Sequence, residues 1–411
     1  MKRRAVRHAF VLIVTALALG NWIAGPALAA DAKSDTAAKA QAALDRAVEY
    51  LKSQQKETGG WGGEKDPPAL TALVLKAIVV GRPQDRQSPY VQKGYQTLLK
   101  YQVGDGGIYK DLLANYNTAI AVSALTAAKN PEYQDEIDRA VAYLKGLQLT
   151  EQTRPEYSGA KEQFTGKQVI NDDKDPFYGG WGYGGARSQG AGRPDLSNVQ
   201  VTLDALHDAG LKPGDPAFER AVKFITRLQN RSESNDQPWA GDDGGFVYSP
   251  ADTRKGDSMA GEYVGPDGRR MLRSYGSMTY AGLKSMIYAG LTKDDPRVKA
   301  AWEWIRKNWT LDENPGMRLN NPDAAKYGLY YYYHTMARAL NAYDEPVVTD
   351  SRGQTHDWRA ELVDKVASLQ RDDGSFAGEK RFMEDNPLLV TAYTAIALAE
   401  TLEDLKQHPV K

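Results

Sequence analysis

Apolar positions recur along this chain with the spacing of helices, in two alternating kinds. The first kind is amphipathic. Ala43, Ala47, Tyr50 and Leu51 fall at the i, i+4, i+7, i+8 spacing of a single helix face. Gly59 and Gly60 end that helix, and Trp61 follows. The second kind is apolar nearly all round, as in 69–78 (Ala-Leu-Thr-Ala-Leu-Val-Leu-Lys-Ala-Ile), which predicts a helix buried on more than one side. An outer amphipathic helix, a Gly/aromatic turn and a buried inner helix make one unit.

The unit repeats. Outer helices are predicted near 89–100, 135–147, 216–228, 296–307 and 358–369, and inner helices near 115–128, 197–209, 275–283, 324–342 and 386–400. The turns are marked by Gln55 with Trp61, by Gln102, by Gln148 with Trp181, by Gln229 with Phe246, and by Gln370 with Phe376. Trp309 stands where the fifth unit should carry its Gln. A helix-pair period of this length indicates a solenoid-type repeat. An open solenoid would waste one face of inner helices that are apolar all round, so the pairs are expected to close into a ring. The fold class expected is all-α, an α6/α6 toroid of six helix-pair repeats spanning 42–405 around a central cavity.

The arrangement basic, small, two of any kind, aromatic, aliphatic, three of any kind, Gln, three of any kind, Gly, any, aromatic is met in full from Arg46 to Trp61. It resembles the QW repeat of squalene-hopene and oxidosqualene cyclases, and it is similar to the repeats of protein prenyltransferase β subunits. The resemblance implies the α/α-toroid fold and an isoprenoid or other hydrophobic ligand in the cavity. Physically, the Gln amide suits the free backbone groups at the helix ends on either side of it, so Gln55, Trp61 and their counterparts are structural. The chemistry implied by the resemblance is incomplete. The cyclases' Asp-any-Asp-Asp acid motif is absent, and Asn171-Asp172-Asp173-Lys174-Asp175 has the wrong order. The prenyltransferase zinc site needs a cysteine, and there is none in 411 residues. No metal and no cofactor are expected.

The ends frame this repeat. Lys2, Arg3, Arg4 and Arg7, an apolar run to about residue 24, and Ala27-Leu28-Ala29 read as a signal peptide over 1–29. A retained anchor is the alternative, but Gly20-Asn21 and Gly25-Pro26 interrupt the run. Residues 30–41 read as a flexible tether. The expected location is secreted or periplasmic, with no transmembrane segment once the signal is removed. Without the leader, 48 Lys and Arg face 53 Asp and Glu, a net charge of −5. The basic residues are scattered, which argues against nucleic acid.

Candidate site residues lie on the inner helices. Asp195, Asp323 and Asp385 precede or open them, and each reads either as a cavity acid or as a helix cap. Tyr327, Tyr331, His334 and Arg338 share one stripe, and Tyr330, Tyr333 and Ala337 another. One stripe should face the cavity. Asp195, His334 and Tyr331 are the candidate catalytic groups; Tyr327, Tyr330, Tyr333, Asp323 and Asp385 are candidate ligand contacts. His207 reads as a packed core histidine. Three functions stay open: an isoprenoid-binding or isoprenoid-transforming toroid, a polysaccharide-active toroid enzyme, and a non-catalytic interaction module.

Overall fold

The structure is a computed structural model, and it describes residues 26–150, 173–184, 193–250 and 258–408, with side chains from residue 35. Residues 1–25, most of the signal peptide expected over 1–29, lie outside the described residues. The chain is mostly helical. Amphipathic helices α1 (Pro26–Ser53), α3 (Pro89–Leu99), α5 (Gln134–Gly146), α7 (Pro216–Thr226), α9 (Pro296–Lys307) and α11 (Trp358–Leu369) form the outer layer. They alternate with α2 (Pro68–Gly81), α4 (Ala114–Ala127), α6 (Leu196–Asp208), α8 (Gly276–Tyr288), α10 (Leu329–Tyr343) and α12 (Pro387–Gln407). The second set packs in a closed cycle: α2 on α4, α4 on α6, α6 on α8, α8 on α10, α10 on α12, and α12 back on α2. Helix α1 closes the outer layer by packing on α11 and α12.

The joints repeat one geometry. Each Gln amide donates to two carbonyls, that of a turn glycine and one on the next outer helix. Gln55 reaches Gly59 and Tyr90 (both 2.7 Å), Gln148 reaches Gly179 and Ala217 (both 2.9 Å), and Gln229 reaches Gly244 and Arg297 (2.9 and 2.8 Å). Gln102 does the same with Gly106 and Glu136, and Gln370 with Gly374 and Ala43, which ties the last unit to the first. The basic position of the motif completes the joint: Arg139 and Arg220 donate to the amide oxygens of Gln102 and Gln148. The indoles of Trp61 and Trp181 donate to the carbonyls of Leu51 and Leu144. At the fifth joint Trp309 donates instead to Glu361 of α11 at 3.0 Å. A second tie runs inward. The N–H groups of Trp61, Ile108, Phe246 and Phe376 donate to the hydroxyls of Thr71, Thr118, Thr279 and Thr391 on the inner helices.

Three features depart from the expectation. Residues 30–41 are not a tether but part of α1. Their alanines favour helix, and Ala40 is fully buried. The inner helix of the fifth unit begins at Leu329 and not near 324, because 3-10 geometry occupies Pro322–Lys326 and Gly328 takes a left-handed conformation. Two antiparallel hairpins interrupt the helices: β1 (Glu262–Val264) with β2 (Arg270–Leu272), and β3 (Val347–Thr349) with β4 (Thr355–Asp357). The second turns around Asp350, whose carboxylate accepts from the N–H groups of Arg352 and Gln354.

Candidate functional site

The N-terminal ends of the inner helices converge on a cavity of about 460 Å³. Its wall is apolar and aromatic: Leu70 and Leu73 from α2, Ile120 from α4, Met278 from α8 and Leu389 from α12, with six tyrosines, Tyr116, Tyr183, Tyr248, Tyr275, Tyr331 and Tyr393. Three of these come from outside the inner helices. Tyr183 and Tyr248 follow the third and fourth turns, and Tyr275 is the residue before α8. The segments that join the third and fourth turns to their inner helices thus contribute to the wall. The phenols pair across it, Tyr116 with Tyr393 and Tyr183 with Tyr248, each at 3.3 Å.

Two carboxylates line the cavity, Asp66 and Glu384. Asp66 is half-buried and accepts from the N–H of Gly63. Glu384 is buried, and its Oε1 accepts from the N–H of Tyr331 at 2.9 Å. It caps α10 from another part of the chain, since Gly328 offers that helix no side chain. Burial pushes the Glu384 carboxyl up to about 7, against the opposing pull of the N–H groups of Tyr331, Tyr330 and Leu329. Its Oε2 has no hydrogen-bond partner among the described residues. The adjoining Phe382 and Met383 line the mouth with φ of 60° and 61°, a left-handed conformation that side chains disfavour.

Asp195 lies behind this wall. It caps α6, accepting from the backbone and side-chain nitrogens of Asn198 at 2.9 and 2.8 Å. Burial pushes its carboxyl up to about 6, against the pull of Asn198 and Tyr248. Asp323 and Asp385 do not form an acidic rim with it. Both are exposed and absent from the cavity wall. The caps beside them are asparagines: Asn321 accepts from the N–H of Asp323, and Asn386 from that of Leu388.

Of the two stripes on α10, the one carrying Tyr331, His334 and Arg338 faces inward. Tyr327, one turn before, is off the wall. Tyr330 and Tyr333 point away from the cavity, Tyr330 edge-on to Phe376 and Tyr333 donating to the carbonyl of Leu311. Neither side chain is on the cavity wall. His207 stacks on Tyr288 with ring centroids 3.9 Å apart. Before the third turn, Asp173 pairs with Lys223 at 2.7 Å and Asp175 caps Phe177, while Asn171 and Asp172 lie outside the described residues.

Beneath Tyr116, Tyr331 and Tyr393 is a second, small void of about 30 Å³ among charged side chains. Asp204 accepts from Lys284 at 2.8 Å and from Arg338. Lys76 pairs with Asp208 at 2.8 Å, and Arg338 approaches Glu400 at 3.3 Å. Burial pushes Lys284 down to about 8 against the pull of Asp204. Burial works to raise the Asp208 carboxyl, yet Lys76, His207 and Arg338 hold it well below the usual range. His334 sits here with Nδ1 unpartnered, 5.0 Å from the Tyr393 ring. Burial, then Arg338, Lys284 and Lys76, hold it well below its ordinary value, so the imidazole is neutral and a poor base. Sequence reasoning missed Glu384, Gln200, Lys284 and the loop tyrosines. Lys76 and Lys284 did carry a signal, as charged residues inside helices otherwise apolar all round.

Among the described residues no group of three or more His, Cys, Asp or Glu could hold a metal ion, and no helix is long and apolar enough to cross a membrane. No family model matches the chain. No curated protein sequence matches it either. Solved structures do. One is the type II terpene cyclase MstE from Scytonema, in a variant form bound to geranylgeranyl dihydroxybenzoate: 14% identity, TM-score 0.53, covering 90% of this chain and 99% of that one. Another variant of it, bound to merosterolic acid A, gives the same values. An unsaturated glucuronyl hydrolase specific for heparin is 12% identical, with TM-score 0.52 over 93% of this chain and 99% of the other. At such identities the likeness establishes architecture alone: this chain has a terpenoid cyclase-like α/α-toroid fold.

Proposed function

We propose that the protein is an exported α6/α6 toroid of six helix pairs that holds an isoprenoid or another elongated apolar ligand in its central cavity. The observation that carries the reading is the wall: leucine, isoleucine and methionine side chains interleaved with six tyrosines around about 460 Å³, within the usual range for small-molecule sites. The terpene cyclase MstE, whose substrate has a geranylgeranyl chain, offers a fold-level analogy for this ligand class. Export rests on the basic and apolar leader ending at Ala27-Leu28-Ala29.

The acids favour holding the ligand over protonating it. Alkene protonation calls for a carboxyl that gives up its proton readily. Glu384, near 7, and Asp195, near 6, are half or mostly ionised at neutral pH, and both already accept hydrogen bonds as helix caps, so neither is a proton-loaded acid free to donate. The polysaccharide reading would use the tyrosines as stacking surfaces, but the rest of the wall is mainly apolar where a sugar cleft needs many polar partners.

The test is direct. Purified protein is extracted with organic solvent for mass spectrometry, and its melting temperature is followed as geranylgeraniol is added. A co-purified isoprenoid, or stabilisation of several degrees growing with ligand concentration, is expected. Buffer components alone in the extract, together with an unmoved melting temperature, would exclude the reading.

A further inference from the structure

Tyr331 stands between the two chambers, and its neighbours decide which way its proton points. An ammonium can only donate. Lys284 Nζ is 2.8 Å from Gln200 Oε1 and 2.8 Å from Asp204 Oδ2. The Gln200 atom facing the lysine must be its carbonyl oxygen, so its amide nitrogen is turned the other way. That nitrogen lies 2.5 Å from the Tyr331 hydroxyl. The phenol oxygen therefore accepts from below, and its own O–H has to donate elsewhere. Ser197 Oγ is in reach only at 3.5 Å, outside the roughly 2.5–3.0 Å of a well-formed hydroxyl bond. Ser197 lies on the wall of the upper cavity, as does Tyr331. The phenol proton is thus aimed at ligand space without a good acceptor. Burial raises the phenol pKa, which keeps that proton in place.

We propose that Tyr331, set as a donor by the Lys284–Gln200 pair, recognises a hydrogen-bond acceptor on the ligand, so that the cavity selects an apolar chain bearing a carbonyl oxygen over a plain hydrocarbon. This rests on the apolar-ligand reading above and narrows it. The ligand's oxygen replaces Ser197 as the proton's acceptor, and its chain runs along the tyrosine and leucine wall. Because Gln200 is pinned through Lys284, the donor is in place before the ligand enters, and little orientation is lost on binding.

Fluorescence titration of the full protein with farnesylacetone, and with the hydrocarbon lacking its carbonyl oxygen, tests this. The ketone is expected to bind about tenfold more tightly, the effect of one buried neutral hydrogen bond. Tyr331→Phe should abolish that preference by weakening the ketone alone. Gln200→Glu should do likewise with the phenol intact, since its carboxylate accepts the Tyr331 proton; it carries the test if circular dichroism shows that Tyr331→Phe does not fold. Equal binding of the two compounds by the unaltered protein overturns the inference while the apolar-ligand reading stands, as does a preference that survives both substitutions. Failure of both compounds to bind removes that reading, and this inference with it.

Discussion

Glu384 and Asp385 are separated by one peptide bond and have opposite fates. Asp385 looks outward, beside the Asn386 cap of α12, while Glu384 turns inward to cap α10 and line the cavity. The cost of burying Glu384 can be measured. Its carboxyl sits at about 7 in the folded protein against an ordinary 4.5, so the folded state holds the proton more firmly than the unfolded chain. The group's contribution to stability is complete below about pH 4.5 and is lost as pH rises through 7. Glu384→Gln keeps an acceptor for the Tyr331 N–H and removes the titration. Relative to the unaltered protein, its stability should rise from pH 5 to pH 9 by about 2–3 kcal/mol. Urea unfolding at the two pH values decides it, and a difference independent of pH would contradict the assignment. Asp195 shows the complementary lesson: a residue read as either acid or cap is seen to cap α6, with both oxygens engaged by Asn198.

The elements are held together by a joint that is chemically the same in five places. Its glycines explain why the Gly position recurs. Gly179 has φ +83°, and a Cβ there would sit 2.0 Å from the carbonyl oxygen of Arg220 on the next outer helix. Gly214 has a similar φ of +94° with nothing within 4 Å. The pair separates backbone strain from collision. Gly214→Ala should cost about 1 kcal/mol, the penalty for a left-handed alanine, whereas Gly179→Ala should cost about 3 kcal/mol or more because two helices must part. Denaturant titrations of the two variants provide the comparison; equal losses would show that the close approach is not felt. The joint was legible in Gln55, Gln102, Gln148, Gln229 and Gln370 because the same residue types recur once per repeat, at the end of an outer helix and in the Gly/aromatic turn. The threonine tie through Thr71, Thr118, Thr279 and Thr391 was not, since a lone Thr in an apolar helix carries no pattern that distinguishes it from filling.

At the scale of the molecule, the ring has two kinds of centre stacked along its axis: an apolar chamber at the N-terminal ends of the inner helices and a charged one beneath it. The charged layer is a liability unless every partner is present. Asp204 pairs with both Lys284 and Arg338, so Asp204→Ala should destabilise the protein by about 3–5 kcal/mol, the cost of leaving buried charge unpaired. Adding Lys284→Met should recover part of the loss, and a double-mutant cycle by chemical denaturation measures the coupling. Strictly additive losses would mean that the two groups do not interact. The sequence by itself determined the alternation of amphipathic and buried helices, the joints between them and the need to close a ring, because helix periodicity, turn glycines and amide ties act over a few residues or one repeat. It narrowed the α10 face to two stripes. Only the tertiary structure decided that Tyr331 faces inward while Tyr330 and Tyr333 pack outward, that Glu384 and not Asp385 reaches the cavity, and that Tyr183, Tyr248 and Tyr275 join the wall from loops. Those choices depend on how neighbouring helices are rotated and where the insertions lie across the ring, and the cost of burying a polar group is set by neighbours that no local pattern reveals.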